Sequence, residues 1–260
     1  KSSGTTSDKS KFIPVSDESL TDTHFKASKD VLTNYYTNFP ESDLLTGKSL
    51  VVGGSHHLHQ LNEDIHYGDL SAVLMRNTPF WGHWIRTPEL SIALLDEWEN
   101  KIEKLARQTI NENVTSLAGV PTWTIVLIKR ILELSGKQYL KDVWPNLELY
   151  IHGGVSFVPY REQLNRLIGK PINYLEIYNA SEGFIAGQDK LNEEGMLLFT
   201  DHGIFYEFMP VDEYGKEEPQ TFGLKDVVLY KNDALVISTN GGWWRYLIGD
   251  TIQFTSLLRF

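Results

Sequence analysis

Apolar strand-like runs alternate with helix-length amphipathic segments, and after Glu182 the pattern switches to short strands joined by turns. Together these predict an α/β chain: a mainly parallel sheet flanked by helices, followed by an antiparallel β subregion. A third observation places a ligand. Three strand-like runs close on Gly53-Gly54, on Gly153-Gly154 and on the stretch from Tyr178 to Gly183. Ligands gather at the carboxyl ends of strands in such sheets, so these ends mark the expected site.

Each element has its own signal. Asp17 to Tyr36 reads as a helix, with Ser16 as N-cap, Asp17 and Glu18 in the first turn, and Leu20, Ala27, Val31 and Tyr35 near one face. Leu50 to Val52 is a buried strand. Thr87-Pro88 predicts a helix start, continued by the stripe Leu90, Leu94, Trp98, Ile102 and Leu105. Val114 to Ala118 reads as a strand, and Pro121 opens a helix that stops at Gly136. Leu147 to Ile151 is a strand, Arg161 to Ile168 a helix stopped by Gly169, and Ile172 to Tyr178 a strand. Met196 to Thr200, Gly203 to Pro210, Val227 to Tyr230, Leu235 to Thr239 and Thr251 to Thr255 are the expected short strands.

Composition narrows the function. The 260 residues carry 34 carboxylates against 24 Lys and Arg, a formal net charge of −10. Such a surface repels phosphate backbones and anionic lipid, which argues against nucleic acid and membrane as partners. There is no cysteine, so disulfides, thiol nucleophiles and thiolate metal sites are excluded together. No apolar run approaches the ~20 residues of a spanning helix. A soluble, cytoplasmic protein is expected.

Three stretches carry chemistry. Ser2-Ser3-Gly4-Thr5-Thr6-Ser7-Asp8-Lys9-Ser10-Lys11 sets a glycine among five hydroxyls ahead of two lysines. Hydroxyls and backbone N–H groups can wrap an oligophosphate while the lysines neutralise it. Composition alone reads the same stretch as a disordered polar terminus. Tyr178-Asn179-Ala180-Ser181-Glu182-Gly183 follows a strand: Tyr178 can stack on a base, Ser181 can donate to phosphate, and Glu182 can hold Mg²⁺. An ordinary strand exit with a solvated Glu is the alternative. In Tyr246-Leu247-Ile248-Gly249-Asp250 an Asp at a strand end can accept both ribose hydroxyls, or Gly-Asp is simply a turn.

The ordered set resembles the core motifs of the adenylate-forming superfamily of acyl-CoA ligases, luciferases and peptide-synthetase adenylation domains. It is most similar to the auxin- and jasmonate-conjugating acyl-acid amido synthetases and their bacterial relatives. The resemblance runs through the opening loop into Lys11-Phe12-Ile13-Pro14, then Tyr178 to Gly183, Phe205-Tyr206-Glu207-Phe208-Met209-Pro210, and Ala234 to Thr239 leading into Arg245-Tyr246-Leu247-Ile248-Gly249-Asp250.

That resemblance implies an incomplete large adenylating domain of the luciferase-like fold, with residues 1–183 as its α/β part and 184–260 as its β-rich part. A preceding N-terminal segment and a small C-terminal lid domain are expected outside these residues. It also implies roles. Ser2, Ser3, Thr5 and Thr6 would hold the ATP phosphates, with Lys11 assisting. Gly153, Gly154 and Val155 would lie along adenine, with Tyr178 stacked on it. Ser181 would contact the α-phosphate, Glu182 would bind Mg²⁺ and Asp250 would hold the ribose. Asn179 departs from the superfamily's usual glycine. The implied reaction joins a small-molecule carboxylic acid to AMP, releases pyrophosphate, and passes the acyl group to an amine, an amino acid in this family. Transfer to CoA, or nucleotide binding without turnover, are the rival readings.

Two weaker clusters remain. His56, His57, His59 and His66, with Glu63 and Asp64, have metal-like chemistry, but no strand or helix fixes them, so the stretch reads as a polar loop before a zinc site. Arg76, Trp81, His83, Trp84 and Arg86 could shape a carboxylate pocket or be core aromatics. Thr122, in Gly119-Val120-Pro121-Thr122, is either part of an acyl pocket or a helix start.

Overall fold

A computed structural model describes residues 11–53, 59–60, 62, 66–80, 82–191, 193 and 195–257. The described chain divides into two compact units, residues 36–177 and residues 11–35 with 178–257.

The chain enters through a helical run at Ser16, which caps it as expected. Its Oγ accepts the Ser19 N–H at 3.1 Å and its carbonyl accepts the Leu20 N–H at 2.9 Å. The run differs from a regular helix in one respect: Ser19–Phe25 is a π-helix, and only then does α1, Lys26–Asn38, begin. The wider turn rotates the buried face, so Thr23 and His24 join Leu20 inside, ahead of Ala27, Val31 and Tyr35. Short π segments of this kind recur at functional sites.

The first unit is the α/β part. Its elements are β1 (Lys48–Val52), the two-residue strands β2 (His59–Gln60) and β3 (His66–Tyr67), and α2 (Leu70–Arg76) and α3 (Gly82–Ile85). Then come β4 (Arg86–Thr87), α4 (Leu90–Ala93), α5 (Trp98–Thr109), β5 (Val114–Gly119), α6 (Pro121–Ser135), β6 (Leu149–Gly153), α7 (Val158–Ile168) and β7 (Asn173–Ala180), whose last three residues belong to the second unit. Strands run in the order β4-β1-β5-β6-β7 and every pair is parallel. Leu50, Leu105, Leu117, Ile128, Trp144 and Leu164 are fully buried in one cluster that the helices cover. The register sets Val52 beside Gly119 and Gly153 beside Ile177, so β1, β5 and β6 all end on one edge.

The helix expected from Thr87 is corrected. Thr87 pairs with Leu50 as part of β4, and the helix begins only at Leu90, with Glu89 in the N-cap position. The apolar stripe is carried by two helices: α4 ends at Ala93, and the chain restarts with Glu97 in an extended N-cap conformation before α5.

The second unit is the antiparallel part. β8 (Gly183–Gly187) is buried throughout and pairs with β9 (Leu197–Leu198). β10 (Ile204–Pro210), β11 (Asn232–Thr239) and β12 (Tyr246–Gln253) form a three-stranded antiparallel sheet. Leu235, Ile237, Tyr206 and Phe208 pack in its core with Ile185 and Ile204. Val227 to Tyr230 is not a strand: it follows a 3₁₀ turn at Leu224–Asp226, and Tyr230 takes φ 60°, a left-handed backbone that stops extension. β8 escaped sequence reading because Gly-Phe-Ile-Ala-Gly, buried on both faces, shows no alternation. Among the described residues no helix is long and apolar enough to cross a membrane.

Candidate functional site

The second unit assembles four of the residues that the sequence singles out. β7 stays extended through Ala180, so Tyr178 lies inside the strand and not beyond it, and Ser181-Glu182 form the turn into β8. Tyr178 donates its hydroxyl to Asp250 Oδ2 across this unit. Burial first, then the hydrogen bond to Asp250 and the charges of Asp250 and Glu182, push the Tyr178 phenol well above its ordinary pKa. It therefore stays protonated as a donor. Lys11 Nζ donates to Tyr246 Oη at 3.1 Å, and that bond, with a smaller push from the Glu182 charge, raises the ammonium pKa. A cation, a half-buried carboxylate and a Tyr–Asp pair thus share one neighbourhood.

Asp250 does not end a strand, as the motif suggested; a bulge presents it. Ala234 pairs with Thr251 and Val236 with Leu247, so Ile248, Gly249 and Asp250 stand opposite Leu235 alone. The extra residues arch out of the ladder, with Gly249 at φ 103°. Bulges re-aim side chains in this way next to active sites. Asp250 is exposed, and Tyr178 meets it.

Two further features were not marked in sequence. Tyr246 packs against Trp243 with ring centroids 4.3 Å apart and planes tilted by 44°, and it shares a face of β12 with Ile248, so strand alternation could have found it. Buried His24 and half-buried Asn179 leave His24 Nδ1 and Nε2 and the shielded Asn179 Oδ1 without a hydrogen bond of normal geometry. Burial brings the His24 pKa down to about 4, against a weaker opposing pull from Asn179.

In the first unit, Gly153, Gly154 and Val155 occupy the carboxyl end of β6. A side chain on Gly153 would fall 2.4 Å from the Ile177 carbonyl oxygen, and Gly154 has φ 79°. The pair is required by the backbone itself. Val155 beyond it is exposed. His152, just before, is buried and stacked on Phe157 at 3.8 Å, and burial lowers its pKa to about 4. Lys101, buried on α5, donates to the Gly53 carbonyl at 3.1 Å, and burial brings it to about 8.

The expected carboxylate pocket is partly redirected. Arg86 Nη1 donates to the Met75 carbonyl at 2.9 Å and Thr78 Oγ1 at 3.2 Å, and Arg86 Nη2 lies 3.2 Å from His83 Nδ1. Arg86 therefore ties its own segment together. Trp84 is exposed, edge-on to Phe80, and not a core aromatic. Arg76 ends α2 at the surface, and Thr122 is exposed in the first turn of α6. Of the histidine cluster, His59 and His66 fall on β2 and β3, and no metal-capable group of three exists among the described residues. Ser2, Ser3, Thr5, Thr6, Trp81, His56, His57, Glu63 and Asp64 lie outside the described residues.

Solved structures share this fold. The chain matches AtGH3.15 acyl acid amido synthetase in complex with 2,4-DB at TM-score 0.76 and 18% identity, over 98% of this chain and 53% of that one. A second structure of GH3.15 acyl acid amido synthetase gives 0.75 and 16%, over 98% and 52%. 2-Hydroxyisobutyryl-CoA ligase in complex with 2-HIB-AMP and CoA gives 0.51 and 12%, over 80% and 44%. The chain therefore has the fold of the adenylate-forming ligases and spans about half the length of the GH3.15 chains. Residues 1–172 match the GH3 family N-terminal domain and residues 197–259 the GH3 family central domain, so motifs, fold and family agree, and the chain belongs to the GH3 family.

Proposed function

We propose that this chain carries the nucleotide-binding part of an ATP-dependent acyl acid amido synthetase. The observation that carries the reading is the Tyr178–Asp250 pair, set with Glu182 and Lys11 in one unit. An Asp re-aimed by a bulge suits a ribose diol, and the phenol that donates to it holds the carboxylate in place. Lys11 suits phosphate oxygens, and Ser181 at the turn suits the α-phosphate. Ser2, Ser3, Thr5 and Thr6 are proposed as phosphate donors, and Gly153, Gly154 and Val155 as adenine contacts.

Mg²⁺ fits the donor set: it takes one or two carboxylates plus phosphate oxygens, and Glu182 supplies one carboxylate beside the Lys11 charge. The ion would neutralise charge on the phosphates. In the proposed reaction a carboxylate oxygen of the acid attacks the α-phosphorus and the bond to pyrophosphate breaks. An amine, proposed to be that of an amino acid, then attacks the acyl carbon, AMP leaves, and the amine loses a proton to solvent. The chain's own residues would contribute position and charge at the phosphates.

ATP–pyrophosphate exchange across aryl, indolyl and aliphatic acids tests the first step. For an enzyme that includes these residues, exchange with one or more acids, followed by amide formation with an amino acid, is expected. Nucleotide binding with no exchange on any acid would leave a binding protein without turnover, and acyl transfer to CoA in place of an amine would make it an acyl-CoA ligase.

A further inference from the structure

Glu207 stands on β10, outside the residues proposed to touch the nucleotide. Its carboxylate nevertheless sits at the centre of a polar network. Both oxygens accept from Arg245 Nε at 3.1 Å, and Oε1 also accepts from Thr221 Oγ1 at 2.7 Å. Arg245 Nη2 donates to Thr221 Oγ1 at 2.9 Å, and the Arg245 backbone N–H donates to Ser238 Oγ at 2.9 Å. The Glu207 side chain is 16% exposed, so most of its charge is met by these partners and not by water.

The network grips a residue whose backbone needs holding. Arg245 has φ 48°, in the left-handed region that side chains other than glycine avoid. It is also the last residue before β12. From there the strand is held to β11 by Ile237↔Tyr246 and Val236↔Leu247 before the bulge at Ile248–Asp250 interrupts the ladder. That is a short stretch on which to fix a register. A slip of one residue would turn Tyr246 away from Lys11 and Asp250 away from Tyr178, because neighbouring strand residues face opposite sides.

We propose that Glu207 is a positioning residue for nucleotide binding: by clamping Arg245 in its left-handed conformation at the mouth of β12, it sets the register that presents Tyr246 and Asp250. The inference rests on the nucleotide reading of Asp250 given above. Glu207 acts through Arg245 and touches no substrate.

The test measures ATP, deoxy-ATP and AMP affinity, with thermal unfolding alongside, for the parent, Glu207→Ala, Glu207→Gln and Glu207→Ala combined with Arg245→Gly. Losing a charged hydrogen-bond partner of this kind should weaken ATP and AMP about tenfold in Glu207→Ala and shrink the preference of ATP over deoxy-ATP. Glu207→Gln, which keeps an acceptor for Thr221 and Arg245, should lose less, and it carries the test if the alanine variant does not fold. The double variant should regain most of the ribose preference, because glycine adopts the left-handed backbone without a clamp. A lower unfolding temperature with unchanged ribose preference overturns the proposal, as does a double variant no better than Glu207→Ala. A parent that binds no nucleotide overturns the underlying reading and this inference with it, whereas a parent that binds while Glu207→Ala matches it overturns this inference alone.

Discussion

The two units solve different problems with the same chain. In the first, a parallel sheet is sealed by helices over a fully buried apolar cluster, and its glycine pair is accounted for by the pass of β6 against the Ile177 carbonyl. In the second, a small antiparallel sheet carries Tyr178–Asp250, Lys11–Tyr246 and Glu207–Arg245, side chains paired across long sequence separations. It also holds a π-helix, a bulge and a left-handed arginine. In the second unit the bulge and the left-handed arginine lie beside the polar groups that they aim.

The sharpest way to test that contrast is to remove charge from the second unit. Glu182→Gln should cut pyrophosphate exchange about a hundredfold or more while the fold survives, since a charge at a metal held against phosphate is worth several kcal/mol in the transition state. A rate and Mg²⁺ dependence equal to the parent's would remove Glu182 from the site.

Next in size is a cavity in the first unit. Leu117 is fully buried, and Leu117→Ala should cost about 3 kcal/mol of stability in urea unfolding. Ribose discrimination in the folded variant should be unchanged; a loss of it would mean that the first unit's packing tunes the second unit's chemistry.

A buried histidine chosen from each unit, His24 and His152, allows a matched comparison. Burial brings both His24 and His152 from 6.5 to about 4. Above pH 6.5 both are neutral folded or unfolded, so they cost nothing. Between pH 6.5 and 4 the unfolded chain takes up their protons first, so stability falls as pH falls, by up to about 3 kcal/mol for each histidine. His152→Phe and His24→Leu should each flatten that acid limb, read as unfolding free energy against pH. An unchanged limb in either variant would show that the histidine titrates freely in the folded state.

The smallest effect is expected from an ordinary ion pair. Glu162 and Arg166 are 3.7 Å apart on α7 with most of both side chains in water. Glu162→Ala should change stability by no more than about 0.5 kcal/mol. A larger loss would undo the distinction drawn between such surface pairs and the half-shielded Glu207.

Much of the fold was legible in sequence. Pro121 and Gly136 bound α6, Gly169 stops α7, and Ser16 caps the entering helix, because those residues act on the backbone within one turn of themselves. The helix break between α4 and α5 was not legible, since the apolar spacing runs on through it and only the pairing of Thr87 with Leu50 reveals the strand. Of the candidate site, Tyr178, Glu182, Lys11 and Asp250 were singled out through motif wording, Glu207 and Tyr246 stood in motif stretches with no role attached, and His24 carried no signal. Glutamate in a strand looks solvated until Arg245 is seen to meet it.

By itself, then, the sequence determined several helices and strands of the parallel part, the switch from parallel to antiparallel pairing after Glu182, and the residue types proposed to meet a nucleotide. These are local or periodic properties, written in spacing and in single residues such as proline and glycine. Tertiary structure alone decided which of those residues meet. Tyr178 and Asp250 are far apart in the chain, and their contact depends on a bulge that Leu235 on the neighbouring strand defines. A bulge is a mismatch between two strands, and one strand's sequence cannot state it.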